Sequence, residues 1–179
     1  MIFRLSQKLA QKIKVMPKVC APPDSNPFAD WSAHLFTAQR AQHVILTNTA
    51  SLYSMVMYGR GITDDGAFIE AALSCMREFM PKDGNEFIFR RFVAPVSGEV
   101  LFSKALNRSV TGSMNDLVYH ATMWLVEGEL SPFDTSLKLN EIPFAALHYR
   151  NPREVFKALN VEQPVSGDGL EAGSDRDGA

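Results

Sequence analysis

A chain of 179 residues with 46% hydrophobic and 10% aromatic side chains has the size of one domain and can fill a core, which excludes a wholly disordered protein. No apolar run approaches the roughly 20 residues of a membrane-spanning helix, so no membrane partner is expected, and the N-terminus lacks the apolar block of a secretory signal. The net charge of −2 conceals a gradient: 161–179 set five acids against Arg176 alone, while the other 160 residues carry 17 basic and 15 acidic side chains. Residues 1–18 hold Arg4, Lys8, Lys12, Lys14 and Lys18 and no acid. Cys20 and Cys75 stand far apart without a C-x-x-C spacing, which reads as two free thiols in the cytoplasm.

In chain order, MIFRL predicts a first strand. Ser6 then fits an N-cap, with Leu5 and Ala10 as a hydrophobic staple, for a helix whose apolar stripe is Leu9, Ala10 and Ile13. That helix should end by Pro17, and the proline-rich segment 17–30 predicts a surface loop. The segment DWSAHLFTAQR is read as a helical turn or an edge strand with Trp31, Leu35 and Phe36 in the core. HVILTNTASLYSMVMYG predicts a hairpin of 44–46 and 52–58, the second strand apolar on both sides and so central. GRGITDDG leads into a helix over 65–80, capped by Thr63 and stopped by Pro81. Residues 87–93 and 99–103 read as two strands, the first alternatively as a helical turn.

Ser113 and Asp116 match a capping box for a helix with the stripe Met114, Leu117, Val118, Ala121 and Leu125, ending at Gly128. Asn151 with Pro152 predicts the start of a last helix that buries Val155, Phe156 and Leu159. From Val161 the composition predicts a disordered acidic tail. Strands and helices mix without strict alternation. The expected fold is a single α+β domain over 1–160, a small mixed or antiparallel sheet packed with about four helices.

Most familiar chemistries find no pattern here. His34, His43, His120 and His148 are scattered with no close ligand pair, so neither a metal nor another cofactor is expected. The glycines of 59–66 miss both G-x-G-x-x-G and the P-loop, and Asp64 and Asp65 would fill the helix start that a phosphate needs. Ser113 lacks a G-x-S-x-G setting. His120 lies two helical turns away, about 10 Å at 1.5 Å per residue, beyond reach as its base. The pairs Asp64/Asp65 and Glu127/Glu129 read as solvated helix ends.

The polar loop 107–116 remains. Asn107 and Arg108 are not needed to cap a helix that starts at Ser113. Arg108 can fork onto a carboxylate or phosphate, and Asn107, Ser109 and Asn115 can complete a site for an anion or a protein partner, with Asn48 and Thr49 nearby. The structural alternative pairs Arg108 with an acid such as Glu141.

RLSQKLAQKIKV, the Trp31-Ser-Ala-His-Leu35-Phe36 segment, ILTNTASLYSMVM, NRSVTGSMNDL and LNEIP occur here in the order found in a bacterial domain family of unknown function, which the chain resembles over about residues 2–160. NRSVTGSMNDL carries the resemblance most specifically. His34 stands where the family's pattern leads one to expect an Asn-like residue. The resemblance implies one intact bacterial domain and transfers no mechanism.

The leading reading is a non-catalytic binding or accessory module using the loop 107–116. The alternative is an enzyme on a phosphate-containing or nucleic-acid substrate, with Arg108 as anion clamp and His120 or Asp116 moving protons. A third reading places nucleic acid on Lys8, Lys12 and Lys14.

Overall fold

The structure, a computed structural model, describes residues 1–160; the expected acidic tail lies outside the described residues. In chain order the elements are β1 (Ile2–Leu5), α1 (Gln7–Lys12), β2 (Asp30–Ala38), β3 (Ala41–Asn48), β4 (Ser54–Tyr58), α2 (Asp65–Lys82), α3 (Glu86–Ile88), β5 (Leu101–Lys104), α4 (Arg108–Val126), α5 (Pro132–Leu139) and α6 (Pro152–Lys157). The strands form one mixed sheet in the order β4-β3-β2-β1-β5. β1 runs parallel to β2 and β5, while β2, β3 and β4 are antiparallel. The domain is α+β, as expected.

Strand alternation splits the core in two. One face buries Phe3, Leu5, Trp31, Ala33, Val44 and Leu46 against α1, α2 and α6. The other buries Phe36, Ile45 and Val56 against Met114, Leu117, Ala121 and Leu125 of α4. The β2–β3 connection is Gln39-Arg40, both with positive φ (48° and 62°), a two-residue turn whose twist matches the strands.

On the α4 face one register row is polar across all five strands: Ser103, Arg4, Ser32, Thr47 and Ser54, every one buried. The Arg4 guanidinium uses all its donors. Nε donates to Asp30 Oδ1 and Nη2 to Asp30 Oδ2, each at 2.7 Å. Nη1 donates to Ala21 O (2.8 Å) and Ser103 Oγ (3.4 Å), and Nη2 also to Pro22 O (3.0 Å). Thr47 and Ser54 pair their hydroxyls at 2.8 Å, and Ser32 pairs with Thr49 at 3.0 Å. A second polar cluster joins α6 to the end of α2. Tyr53 OH donates to Asp83 Oδ2 at 2.8 Å, and Arg153 of α6 holds Asp83 at 2.8 Å and Glu141 at 3.1 Å. Burial and the Asp83 charge push the Tyr53 phenol well above its ordinary value.

Several expectations change. β4 is an edge strand, not a central one. Its apolar sequence reflects α5, whose side chains replace a neighbouring strand. The Ser54 N–H donates to Asn140 Oδ1 and Asn140 Nδ2 donates to Ser54 O, both at 2.8 Å, and the Val56 N–H donates to Ser136 Oγ at 2.8 Å. The Trp31 segment is an interior strand, paired on both sides over its first half. Residues 87–93 are helical rather than extended: α3 continues as one wide turn over Phe89–Val93, with Phe92 stacked on Phe28 at 4.9 Å. Pro81 sits inside the last turn of α2, and Asp64 rather than Thr63 caps that helix, accepting from the Ala67 N–H.

The largest correction concerns α4. It begins at Arg108, not Ser113. Asn107 is extended and its Oδ1 accepts from the Val110 N–H at 2.9 Å. The Thr-Gly-Ser run is poor in helix propensity, but the apolar stripe carries the helix through it. At the other end Glu129, with φ 47°, takes the left-handed conformation. Gly128 is required for space, since a Cβ there would lie 2.9 Å from the Trp124 carbonyl oxygen.

Asn140→Ala is expected to destabilise the fold by about 3 kcal/mol, because it leaves the Ser54 N–H and C=O buried without partners; urea denaturation measures this. Arg4→Met should cost about 3–5 kcal/mol by leaving Asp30 buried and unpaired, and Arg4→Met combined with Asp30→Leu should cost less than Arg4→Met alone. A double variant no more stable than the single one would show that the buried charge is not the source of the loss.

Candidate functional site

β1 ends at Leu5 and β5 at Lys104, but β2 runs on to Ala38. At Ser6 the chain leaves the sheet and turns into α1, with the Ser6 hydroxyl accepting from Leu9 N–H as N-cap. Past Lys104 the chain leaves towards α4. The far half of β2 therefore has β3 on one side and no strand on the other. A groove of about 920 Å³ fills that position. Ser6, Gln7, Lys8, Gln11 and Lys12 form one wall, residues 34–37 the floor, Gln42 one end, and Asn115 and Val118 of α4 the opposite wall. No carboxylate lines it. Lys12 Nζ donates to Gln42 Oε1 at 2.7 Å, and both side chains also line the adjoining cleft of about 810 Å³ with Arg40, Tyr58 and Arg60, again without an acid.

His34 is largely buried beneath this groove, and desolvation lowers its pKa to about 4. The imidazole is therefore neutral at pH 7 and offers one donor and one acceptor. The positive charge of the groove comes from the lysines. Burial also lowers the His43 pKa, opposed by a hydrogen bond to Ala41 O; its ring lies between Phe36 (5.5 Å) and Tyr58 (5.4 Å).

The predicted site residues do not converge as a group. Asn115 lines the groove. Asn107 is the cap of α4 and Ser109 is exposed in its first turn. Arg108 is exposed, lines neither cleft, and is not paired with Glu141, which holds Arg153 instead. Asn48 is fully buried. Its Nδ2 donates to Pro27 O (2.7 Å) and its Oδ1 accepts from the Ser51 hydroxyl (2.8 Å), so it ties two turns together. The Thr49 hydroxyl faces Ser32. No hydrogen bond joins either residue to 107–116 among the described residues. Of the basic helix, Lys8 and Lys12 line the groove, whereas Lys14 has φ 60° and its charge acts on Asp64. His120 packs near Trp124 (5.8 Å) and Phe144 (6.5 Å), with Nδ1 buried and unpartnered. Ser113 and Asp116 lie within α4.

Gln7, Gln11, Thr37 and Gln42 are groove residues that the sequence did not single out. Their only signal was a polar side of α1 and of the β2–β3 tip. A third cleft, about 470 Å³ and mostly apolar, lies between β4, α2 and α5 and contains Cys75. Burial pushes that thiol up to about 12, so it is no thiolate nucleophile at pH 7. Among the described residues no group of three or more His, Cys, Asp or Glu is placed to hold a metal. No described helix is long and apolar enough to cross a membrane.

Comparison with known proteins identifies the family. The family model described as "Domain of unknown function (DUF6933)" matches residues 2–155, so the chain belongs to that family. No curated protein and no solved structure matches the chain.

The depressed His34 pKa sets a pH dependence. Its folded value, about 4, lies below its unfolded value near 6.5, so the unfolded chain binds more protons between them. The stability contributed by neutral His34 is complete above about pH 6.5 and is lost as pH falls towards 4. The melting temperature is expected to drop between pH 7 and pH 5, and His34→Gln should flatten part of that drop, with His43 responsible for the rest. An unchanged slope in His34→Gln would remove His34 from the account.

Proposed function

We propose that this DUF6933 member is a non-catalytic binding module whose site is the groove between α1, the half of β2 that runs past β1, and α4, and whose partner is anionic. The observation that carries this is the lining itself. Lys8, Lys12 and seven uncharged polar side chains face a cavity of about 920 Å³ with no carboxylate among them. A groove of this composition attracts negative charge and can orient it by hydrogen bonds. The reading retains Asn115, Lys8 and Lys12 from the sequence and moves the site away from Arg108. The proposed setting is a bacterial cytosol, on the family resemblance and on two free thiols, one of them exposed.

The enzyme reading has less support. It needs Arg108 as a clamp beside a proton-transfer group, and Arg108 borders neither basic cleft while His120 packs on Trp124 and Phe144.

Titration of the isotope-labelled protein with sodium tripolyphosphate is expected to shift amide resonances of residues 6–12 and 34–37 and the side-chain amide of Asn115. Lys8→Glu combined with Lys12→Glu should abolish those shifts. Shifts confined to the start of α4, around Arg108, would refute the groove and restore the loop. Arg108→Ala should change stability by less than about 0.5 kcal/mol, as expected for an exposed, unpaired side chain.

A further inference from the structure

We infer that the groove takes an extended peptide bearing carboxylates, which adds beside β2 as an extra strand. This rests on the groove being the binding site and names the class of partner. The argument begins with the backbone. The Ser6 N–H donates to Ala33 O at 2.9 Å and the Leu35 N–H to Ser6 Oγ at 3.4 Å, so odd-numbered residues of β2 point their N–H and C=O towards the β1 side. Pairing with β1 stops at Ala33. Leu35 C=O, Thr37 N–H and Thr37 C=O therefore face the groove, and none has a backbone or side-chain partner among the described residues. They form a row of two acceptors and one donor, at the place where β1 would continue, about 4.8 Å from β2.

The contrast with β4 sharpens this. An open strand edge invites pairing, and folded proteins guard such edges. Here the outer edge of β4 is closed by Asn140 and Ser136, side chains from a separate helix. The edge at Leu35–Thr37 has only the Ser6 hydroxyl at its near end. Both edges belong to the same sheet, and one is left available.

The walls specify the occupant. A strand lying on this edge points alternate side chains to opposite faces. On the α1 face they meet Lys8, Gln11 and Lys12, and beyond Gln42 the cleft that holds Arg40 and Arg60. On the α4 face they meet Phe36, Val118, Asn115 and neutral His34. A segment with acidic and apolar residues alternating satisfies both walls, and its main chain satisfies the edge. Strand addition of this kind draws affinity from the backbone and selectivity from the side chains. A basic or proline-rich segment fails on the first or the second count.

The test uses the full chain and a blocked eight-residue peptide of alternating Glu and Val. It is expected to bind saturably, to shift residues 34–37, to slow hydrogen exchange at the Thr37 amide, and to give cross-strand contacts to Leu35 and Thr37 in NMR. Lys8→Glu combined with Lys12→Glu should weaken it at least about tenfold, as should N-methylation of the peptide at alternate residues, which removes main-chain donors and keeps every charge. Arg91→Gln, an exposed site outside both basic clefts, should leave binding unchanged. Equal binding of the N-methylated peptide would overturn the inference, since charge alone would then suffice. So would tighter binding of a labelled oligo(dT) that displaces the peptide. If the peptide fails while tripolyphosphate still shifts the groove, strand addition is wrong and the anion groove stands. If neither probe acts there, both readings fall.

Discussion

Everything in this fold is referred to one buried cation. Removing a guanidinium from water costs many kcal/mol unless each N–H finds an acceptor. Arg4 meets that condition by gathering groups from four residues: Asp30 on β2, Ser103 on β5, and the carbonyls of Ala21 and Pro22 in the loop between α1 and β2. Asp30 in turn accepts from the Asp24 N–H, and Ser103 from the Ala21 N–H. The requirement fixes register. A slip of β1 by one residue would turn Arg4 onto the face of Phe3 and Leu5 and bring an apolar side chain to Asp30. The parallel pairings of β1 with β2 and β5 are thus specified by a polar contact, while apolar burial supplies the driving force around it.

That register determines where the molecule stays open. With Arg4 opposite Ser32 and Ser103, β1 ends at Leu5 and β5 at Lys104, each strand only four residues long. β2 and β3 continue to a hairpin tip at Gln39-Arg40. Both faces of the sheet are covered by helices and β4 is closed by α5, while the main chain of β2 stays open on its β1 side beyond Ala33. The groove is a consequence of unequal strand lengths, and its walls are the two helices that begin just beyond the two short strands.

How much of this could be read from the sequence follows from the range of the signals. Local signals carried well. Ser6 and Asn151 are caps as expected, and β-branched and aromatic content located β3 and β4. Asn107 was misjudged because Ser113 and Asp116 also match a capping box, and a four-residue pattern cannot show which of two caps the tertiary packing selects. Residues 87–93 have the composition of a strand but pack as a helical turn on Phe28, a contact across more than sixty residues of chain. The position of β4 at the edge was illegible because Asn140 and Ser136, which close it, lie more than seventy residues away. The groove was invisible for the same reason. Lys8 and Lys12 were noticed as a basic helix face and Asn115 as part of a polar loop, in separate arguments that did not connect them.

Charge bookkeeping over the whole chain would also have misled. A net charge of −2 does not suggest an anion partner. At physiological ionic strength, though, a fixed charge is screened beyond about 8 Å, so a ligand in the groove responds to the lining and little else. Asp64 and Asp65 are engaged at the start of α2, where their charge meets the helix dipole, and Asp83 and Glu141 are paired with Arg153. Lys8 has no acid beside it in the groove, and Lys12 has only the neutral amide of Gln42. These four acids are held at a helix start or in ion pairs, and Lys8 and Lys12 stand beside the open edge of β2. His34 beneath them is held neutral by burial, so it adds hydrogen-bonding capacity without repelling the lysines. A near-neutral chain can in this way present a locally positive slot beside free main-chain donors and acceptors, which a negatively charged strand can satisfy at once.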